Sequence, residues 1–71
     1  MEVEEVLPMD VKRLRKLLDD RGIGRLEIKK RAVDLDPAQL RRKLQLKGER
    51  EAVLVVAAVG RAVMAVVGRR V

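Results

Sequence analysis

Two apolar stretches near the end of the chain constrain the fold more than any other feature. Glu51–Val59 and Ala62–Val67 are rich in valine and are separated only by Gly60-Arg61. Valine favours strands over helices, and a two-residue connection with glycine at its first position fits a tight hairpin turn. The pattern therefore predicts two antiparallel strands that are joined by a hairpin turn.

Capping signals upstream of this hairpin predict two helices. Asp10 and Asp36 are expected to be the N-caps, because an aspartate side chain accepts hydrogen bonds from the first free N–H groups of a helix. Gln39 completes a capping-box spacing with Asp36. Gly22 is expected to end the first helix in the left-handed conformation that glycine tolerates, and Gly48 is expected to stop the second helix.

Two further strands complete the order β-α-β-α-β-β. Val3–Leu7 is a short strand that Pro8 ends, and Arg25–Arg31 alternates between apolar and charged residues. Right-handed crossovers place both helices on one face of a four-stranded mixed sheet, with the last strand antiparallel. The chain is therefore predicted to be one α/β domain of the two-layer α+β type.

The position of the last strand is open between two alternatives. It lies either outside the third strand or inserted between the second and the third, and its apolar run favours the inserted, central position. A two-layer fold also leaves one sheet face without helices. Because the last two strands are apolar on both alternations, we expect the open face to contact a second copy or another domain. The predicted interface residues are Val53, Val55, Ala57, Val63, Ala65 and Val67.

The composition excludes most catalytic chemistry. The 71 residues use only twelve amino-acid types, and Ser, Thr, Asn, His, Cys, Phe, Tyr and Trp are all absent. The chain therefore lacks the usual hydroxyl and thiol nucleophiles and imidazole or thiolate metal ligands, so no active site, metal or cofactor is expected. A high charge without Asn or Cys is typical of a thermostable protein and equally of an engineered, simplified sequence.

The apolar runs are too short to span a bilayer, and the acidic start lacks the basic region of a signal peptide. We therefore expect no membrane partner and, for a natural protein, a cytoplasmic location.

The net charge of +6 is concentrated in residues 12–31, which carry nine Lys and Arg against three acidic residues. Within this stretch, Arg21-Gly22-Ile23-Gly24-Arg25 leads into Lys29-Lys30-Arg31. Glycines allow the close approach of a ligand to backbone, and the flanking cations suit phosphates. The alternative is that Gly22 is only a helix cap and Gly24 only a turn residue.

Each helix offers a second basic surface. Arg41 and Arg42 have no acidic residue nearby in the second helix and are candidates for phosphate contact. On the first helix, Lys12, Arg13 and Lys16 are better explained as a solvated face. That face is expected to be partly balanced by ion pairs of Arg15 with Asp19 and of Lys16 with Asp20, at i,i+4 spacing.

The segment Gly22–Arg31 (GIGRLEIKKR), together with Val33–Pro37 and Leu40–Leu44, resembles a known family pattern. It is similar to the THUMP-like domain found at the C-terminus of certain bacterial class I S-adenosylmethionine-dependent methyltransferases. The resemblance covers nearly the whole chain and implies an accessory domain that presents RNA to a modifying enzyme. Met9-Asp10 and Ala57-Ala58 depart from the family pattern toward the few residue types of this chain, which favours a simplified or engineered version.

The leading hypothesis is a non-catalytic RNA-binding accessory module with weak sequence specificity, because phosphate contacts carry no sequence information. The alternative is a structural or engineered domain that folds and self-associates into a homodimer through its open sheet face. The predicted nucleic-acid-binding residues are Arg21, Gly22, Gly24, Arg25, Lys29, Lys30, Arg31, Arg41 and Arg42.

Overall fold

A computed structural model describes residues 1–71 and contains six elements in the predicted order. The elements are β1 (Glu2–Pro8), α1 (Val11–Asp20), β2 (Ile23–Arg31), α2 (Pro37–Leu44), β3 (Arg50–Val59) and β4 (Ala62–Arg69). Both helices pack on one face of a four-stranded mixed sheet. The predicted two-layer β-α-β-α-β-β fold is therefore confirmed.

The strand order is β1-β4-β3-β2, with β2 parallel to β3 and β4 antiparallel to both of its neighbours. The predicted central position of the last strand is correct, but the predicted neighbours are wrong. The strand lies between β1 and β3 instead of between β2 and β3. Because β2 pairs directly with β3, the tight turn after Val59 can place β4 only on the other side of β3, where β1 then pairs with it.

The N-terminus of each helix is capped as predicted. A carboxylate oxygen of Asp10 accepts hydrogen bonds from the backbone N–H groups of Lys12 and Arg13 at 2.9 and 3.3 Å. A carboxylate oxygen of Asp36 accepts the N–H of Ala38 at 2.9 Å. The side chain of Gln39 forms no hydrogen bond, so the predicted capping box does not form and the aspartate alone serves the start of α2.

The helix ends differ from each other. Gly22 follows α1 with a φ of 68°, in the left-handed conformation predicted for it. By contrast, Gln45 adopts the left-handed conformation after α2, with a φ of 49°, so the prediction that Gly48 stops this helix is wrong. Leu44 is the last residue of α2 in the core, and Leu46 packs against the core from the loop. The chain therefore has to leave the helix before Gly48.

Leucines of the two helices and aliphatic residues on the inner face of the sheet form the hydrophobic core. Burying one such leucine contributes about 1.5–3 kcal/mol to folding, and the core contains no buried polar residue. Its members are Leu14, Leu18, Ile23, Leu26, Leu40, Leu44, Ala52, Leu54, Val56, Ala65 and Val67.

A backbone contact ties the start of β2 to the loop before β3. The strand begins at Ile23, so Gly24 lies inside it and not in the turn suggested by the alternative interpretation. A Cβ atom at Gly24 would lie 1.8 Å from the carbonyl oxygen of Gly48, and one at Gly48 would lie 2.1 Å from that of Gly22. These glycines therefore allow two segments of this chain to approach each other.

Gly24→Ala should lower the free energy of unfolding by about 3 kcal/mol, because backbone must move to admit the methyl group. The control is Gly60→Ala in the hairpin turn. There a Cβ would meet nothing within 4 Å, although φ is 61°, so the expected cost is about 1 kcal/mol. Urea denaturation measures both values, and equal losses would show that the contact at Gly24 is not constraining.

Candidate nucleic-acid interface

The strand β2 forms one edge of the sheet, and its alternation divides the predicted basic residues between two faces. Lys29 pairs in register with Val55 and Arg31 with Ala57, so both cations point to the face without helices. Both are exposed, and neither has an acidic side chain within ion-pair distance. These two residues remain free to contact a ligand.

Lys30 and Arg41 are bound to backbone. The ammonium group of Lys30 donates to the carbonyl of Leu35 at 3.1 Å. The guanidinium of Arg41 donates to the carbonyl of Leu26 at 3.0 Å, which occupies an acceptor on the free edge of β2. These two residues, which the sequence predicted to contact phosphates, therefore hold α2 and the loop before it against the edge strand.

The Gly-x-Gly segment and its flanking arginines contact other parts of the chain. Arg21 donates to the carboxylate of Glu5 on β1 at 2.8 Å, and its side chain is 33% exposed. Arg25 lies 3.6 Å from the carboxylate of Glu51. The carbonyl of Gly22 accepts the N–H of Arg50 at 3.0 Å, and Gly24 packs against Gly48. The segment that looked most suited to a phosphate is therefore occupied by contacts within the chain.

The outer surface of the helices carries the largest set of unpaired cations. The predicted ion pairs of Arg15 with Asp19 and of Lys16 with Asp20 do not form within 4 Å. Asp19 nevertheless lines a groove with Arg15 and Lys16, and Asp20 lines another with Lys16. Arg42 is also unpaired, and it lies on the side of α2 opposite Leu40. We define the helix-layer cations as Lys12, Arg13, Arg15, Lys16, Arg42, Lys43 and Lys47, all exposed and without an acidic partner.

A shallow groove of about 250 Å³ runs between α1 and the loop after α2. Arg15 and Lys16 line it from α1, Gln45 and Lys47 line it from the other side, and Asp19 is its one acidic residue. Three cations therefore converge from separate parts of the chain. The sequence pattern of α1 predicts only a solvated face. No local signal identifies this groove, because Arg15 and Lys16 each have an aspartate four residues further along and Lys47 lies beyond α2.

The structure corrects part of the interface that the sequence predicted on the open sheet face. Val53, Val55 and Ala57 lie on it as expected. Ala65 and Val67, however, are 0% exposed and belong to the core between sheet and helices. Directly paired residues share a face: Val67 pairs with Leu54 of the core, whereas Val66 pairs with Val55.

The same parity assigns the remaining open-face positions of β4. Val63 alternates with Ala65 and therefore points to the helix side of the sheet, where it is 42% exposed beyond the core. Met64 pairs with Ala57 and takes the open-face position next to Val66.

Ion pairs close one end of the open face. Arg70 pairs with Glu27 of β2, and Arg69 donates to Glu2 of β1 at 3.1 Å. These two arginines are therefore bound to the neighbouring strands instead of forming a free basic tail. Beneath them Val53 is only 4% exposed, although it faces away from the helices.

The described chain contains no group of three or more His, Cys, Asp or Glu side chains placed to hold a metal ion. Neither helix has the length and hydrophobicity needed to cross a bilayer.

Comparison with known proteins identifies the family. Residues 1–70 match the model of the THUMP domain-like family, and the chain belongs to this family. It is also 42% identical over 59 residues to uncharacterized S-adenosylmethionine-dependent methyltransferases of two Mycobacterium tuberculosis strains. The match covers 83% of this chain and 16% of each relative, so the chain corresponds to a small part of their length. No solved structure matches.

The ion pair of Glu27 with Arg70 predicts a measurable pKa. The hydrogen bond from Arg70, aided by its charge, lowers the pKa of the Glu27 carboxyl, and burial opposes this only in part. The carboxyl should therefore titrate below the ~4.3 of an unperturbed glutamate. The stability that the ionised Glu27 carboxyl adds to the folded state is fully present above the pKa that Glu27 has in the unfolded chain. It is lost as pH falls through the lower pKa that Glu27 has in the folded chain.

Arg70→Gln should raise the pKa of Glu27 toward the ordinary value, as followed by an NMR titration of the side-chain carboxyl. Arg61→Gln is the control, because Arg61 is exposed at the hairpin turn and has no ion pair. An unchanged titration midpoint in the Arg70 variant would contradict the assigned cause.

Proposed function

We propose that this chain is a non-catalytic accessory module that binds RNA for a methyltransferase domain. Membership of the THUMP domain-like family supports an accessory role, as does the small share of the methyltransferase relatives that the chain covers. In this proposal methyl transfer belongs to the remainder of such proteins. The chain itself supplies no hydroxyl or thiol nucleophile and no histidine base.

The observation that carries the proposal is the set of helix-layer cations. The seven helix-layer cations have no acidic side chain within ion-pair distance. The acids that line grooves beside them are Asp19, Asp20 and Glu5. Such a surface attracts a polyanion, because each phosphate that it neutralises releases condensed counterions. About five engaged cations would make the logarithm of affinity fall with the logarithm of salt concentration at a slope of about −4.

The strand cations are the weaker alternative for phosphate contact. Lys30 and Arg41 already bond to backbone, and Arg21 is paired with Glu5. Lys29 and Arg31 are free, but they border an apolar surface that offers nothing to a hydrophilic RNA backbone. The groove between α1 and the loop at Lys47, in contrast, is lined by polar side chains only.

Recognition in this proposal depends on shape and charge. Sequence-specific RNA recognition uses bases that stack on aromatic rings and hydrogen-bond along their edges. The chain has no aromatic residue, and its side-chain amides are limited to Gln39 and Gln45. We therefore expect RNA structures of different sequence to bind with similar affinity.

Arg15→Glu/Lys16→Glu should weaken binding of a fluorescent RNA hairpin at least about tenfold at low salt, because two phosphate contacts become repulsive. The matched control is Lys29→Glu/Arg31→Glu, which changes the net charge equally on the other face and should have the smaller effect. Anisotropy titrations at two salt concentrations measure both affinities, and circular dichroism verifies that each variant folds.

A larger loss in the strand variant would place the RNA on β2 and contradict the assignment to the helices. Equal losses in both variants would mean that only net charge matters. The RNA-binding proposal as a whole fails if the unmodified chain does not bind the hairpin at low salt, or binds it independently of salt.

A further inference from the structure

The open sheet face carries an apolar strip that the proposed RNA contact does not use. Cross-strand rows place Val6, Val66 and Val55 side by side, and Pro8, Met64 and Ala57 in the next row. None of the six residues belongs to the core, and Val6 is 55% exposed. We call these six residues the outer strip. Apolar patches of this kind on a small domain mark interaction surfaces.

The two ends of the open face differ in whether their cations are paired with carboxylates. At one end, cations and carboxylates pair around an almost fully buried valine: Arg70 pairs with Glu27, Arg25 lies near Glu51, and Val53 borders the same pocket. At the other end the rows of the outer strip finish at Lys29 and Arg31 of β2. No carboxylate of the chain lies within ion-pair distance of these two cations.

We propose that the outer strip binds a separate protein domain whose contact surface is apolar and rimmed by acidic side chains that pair with Lys29 and Arg31. Building on the proposed function, the domain of this kind is the methyltransferase domain that the module serves. The helix-layer cations lie on the opposite side of the sheet and remain accessible. One face therefore docks to the enzyme while the other binds RNA.

A second copy of the chain does not supply this chemistry. Face-to-face packing about a two-fold axis parallel to the strands places β2 over the β1 strand of the other copy, and a perpendicular axis places β2 over β2. The glutamates of β1 are already paired, Glu2 and Glu4 with Arg69 and Glu5 with Arg21. The other open-face acid of β2, Glu27, is already paired with Arg70. Lys29 would therefore meet valines, like charges or an acid that is already paired, which disfavours association.

RNA is also a poor occupant of this face. Sheet surfaces that bind single-stranded RNA use aromatic rings on which bases stack. The outer strip consists of valines, an alanine, a proline and a methionine. A protein surface of complementary shape gains most from burying these side chains.

The absence of cysteine from the chain allows a direct test. A single cysteine is introduced as Val6→Cys, in the isolated chain and in a chimera in which this chain replaces the matched region of the Mycobacterium tuberculosis relative. Alkylation rates are read peptide by peptide with mass spectrometry. The control is Gln39→Cys, an exposed position on α2.

Docking predicts that the cysteine at position 6 reacts at least about tenfold more slowly in the chimera, while the cysteine at position 39 reacts equally in both proteins. Adding Lys29→Glu/Arg31→Glu to the chimera should restore much of the rate at position 6. Equal rates at position 6 in the two proteins overturn the proposal. If position 6 is protected in the chimera and Lys29→Glu/Arg31→Glu does not change that protection, the proposed acidic rim of the partner is overturned.

Two other results at position 6 also count against the proposal. A rate that falls as the concentration of the isolated chain rises indicates a second copy, and protection by an RNA hairpin indicates RNA on this face. Binding of S-adenosylmethionine verifies that the chimera is folded; if it fails, the full-length relative is added in trans to the isolated Val6→Cys chain. Because RNA affinity is measured on the isolated chain, a failure of docking and a failure of the RNA proposal are distinguishable.

Discussion

The contact between four helical leucines and the inner face of β3 and β4 is the interaction on which the structure depends. Leu14 and Leu18 of α1 and Leu40 and Leu44 of α2 all pack on a sheet whose centre is Leu54. A chain of 71 residues has little other surface to bury. Because both helices are needed on this one face, the opposite face of the sheet is left without cover.

The same constraint separates the charges. Cations near an acid or an unpaired carbonyl become part of the scaffold: Arg21 joins α1 to β1, Arg41 joins α2 to β2, and Arg70 joins the end of β4 to β2. The remaining cations point to solvent on the helices or border the outer strip. The two proposed binding surfaces are therefore defined by what the fold does not use.

Short-range signals in the sequence were sufficient to predict the helices and strands, but not which side chains from distant parts of the chain come together. Asp10 and Asp36 cap the helices where predicted, because a cap bonds to residues two or three positions away. The role of Gly24 could not be predicted, because its neighbour Gly48 is distant in the chain. The same holds for Arg15 and Lys16, since their groove is completed by Lys47 from beyond α2.

The sequence alone determined the number, type and order of the elements, the family resemblance and the absence of hydroxyl, thiol and imidazole side chains, since periodicity, caps and composition are local properties. Tertiary structure decided which strands are neighbours, which valines are covered and which cations remain free. The physical reason is strand register. Val67 pairs with Leu54 and is buried in the core, whereas Val66 pairs with Val55 and lies on the face without helices. Nothing within the strand itself distinguishes the two residues.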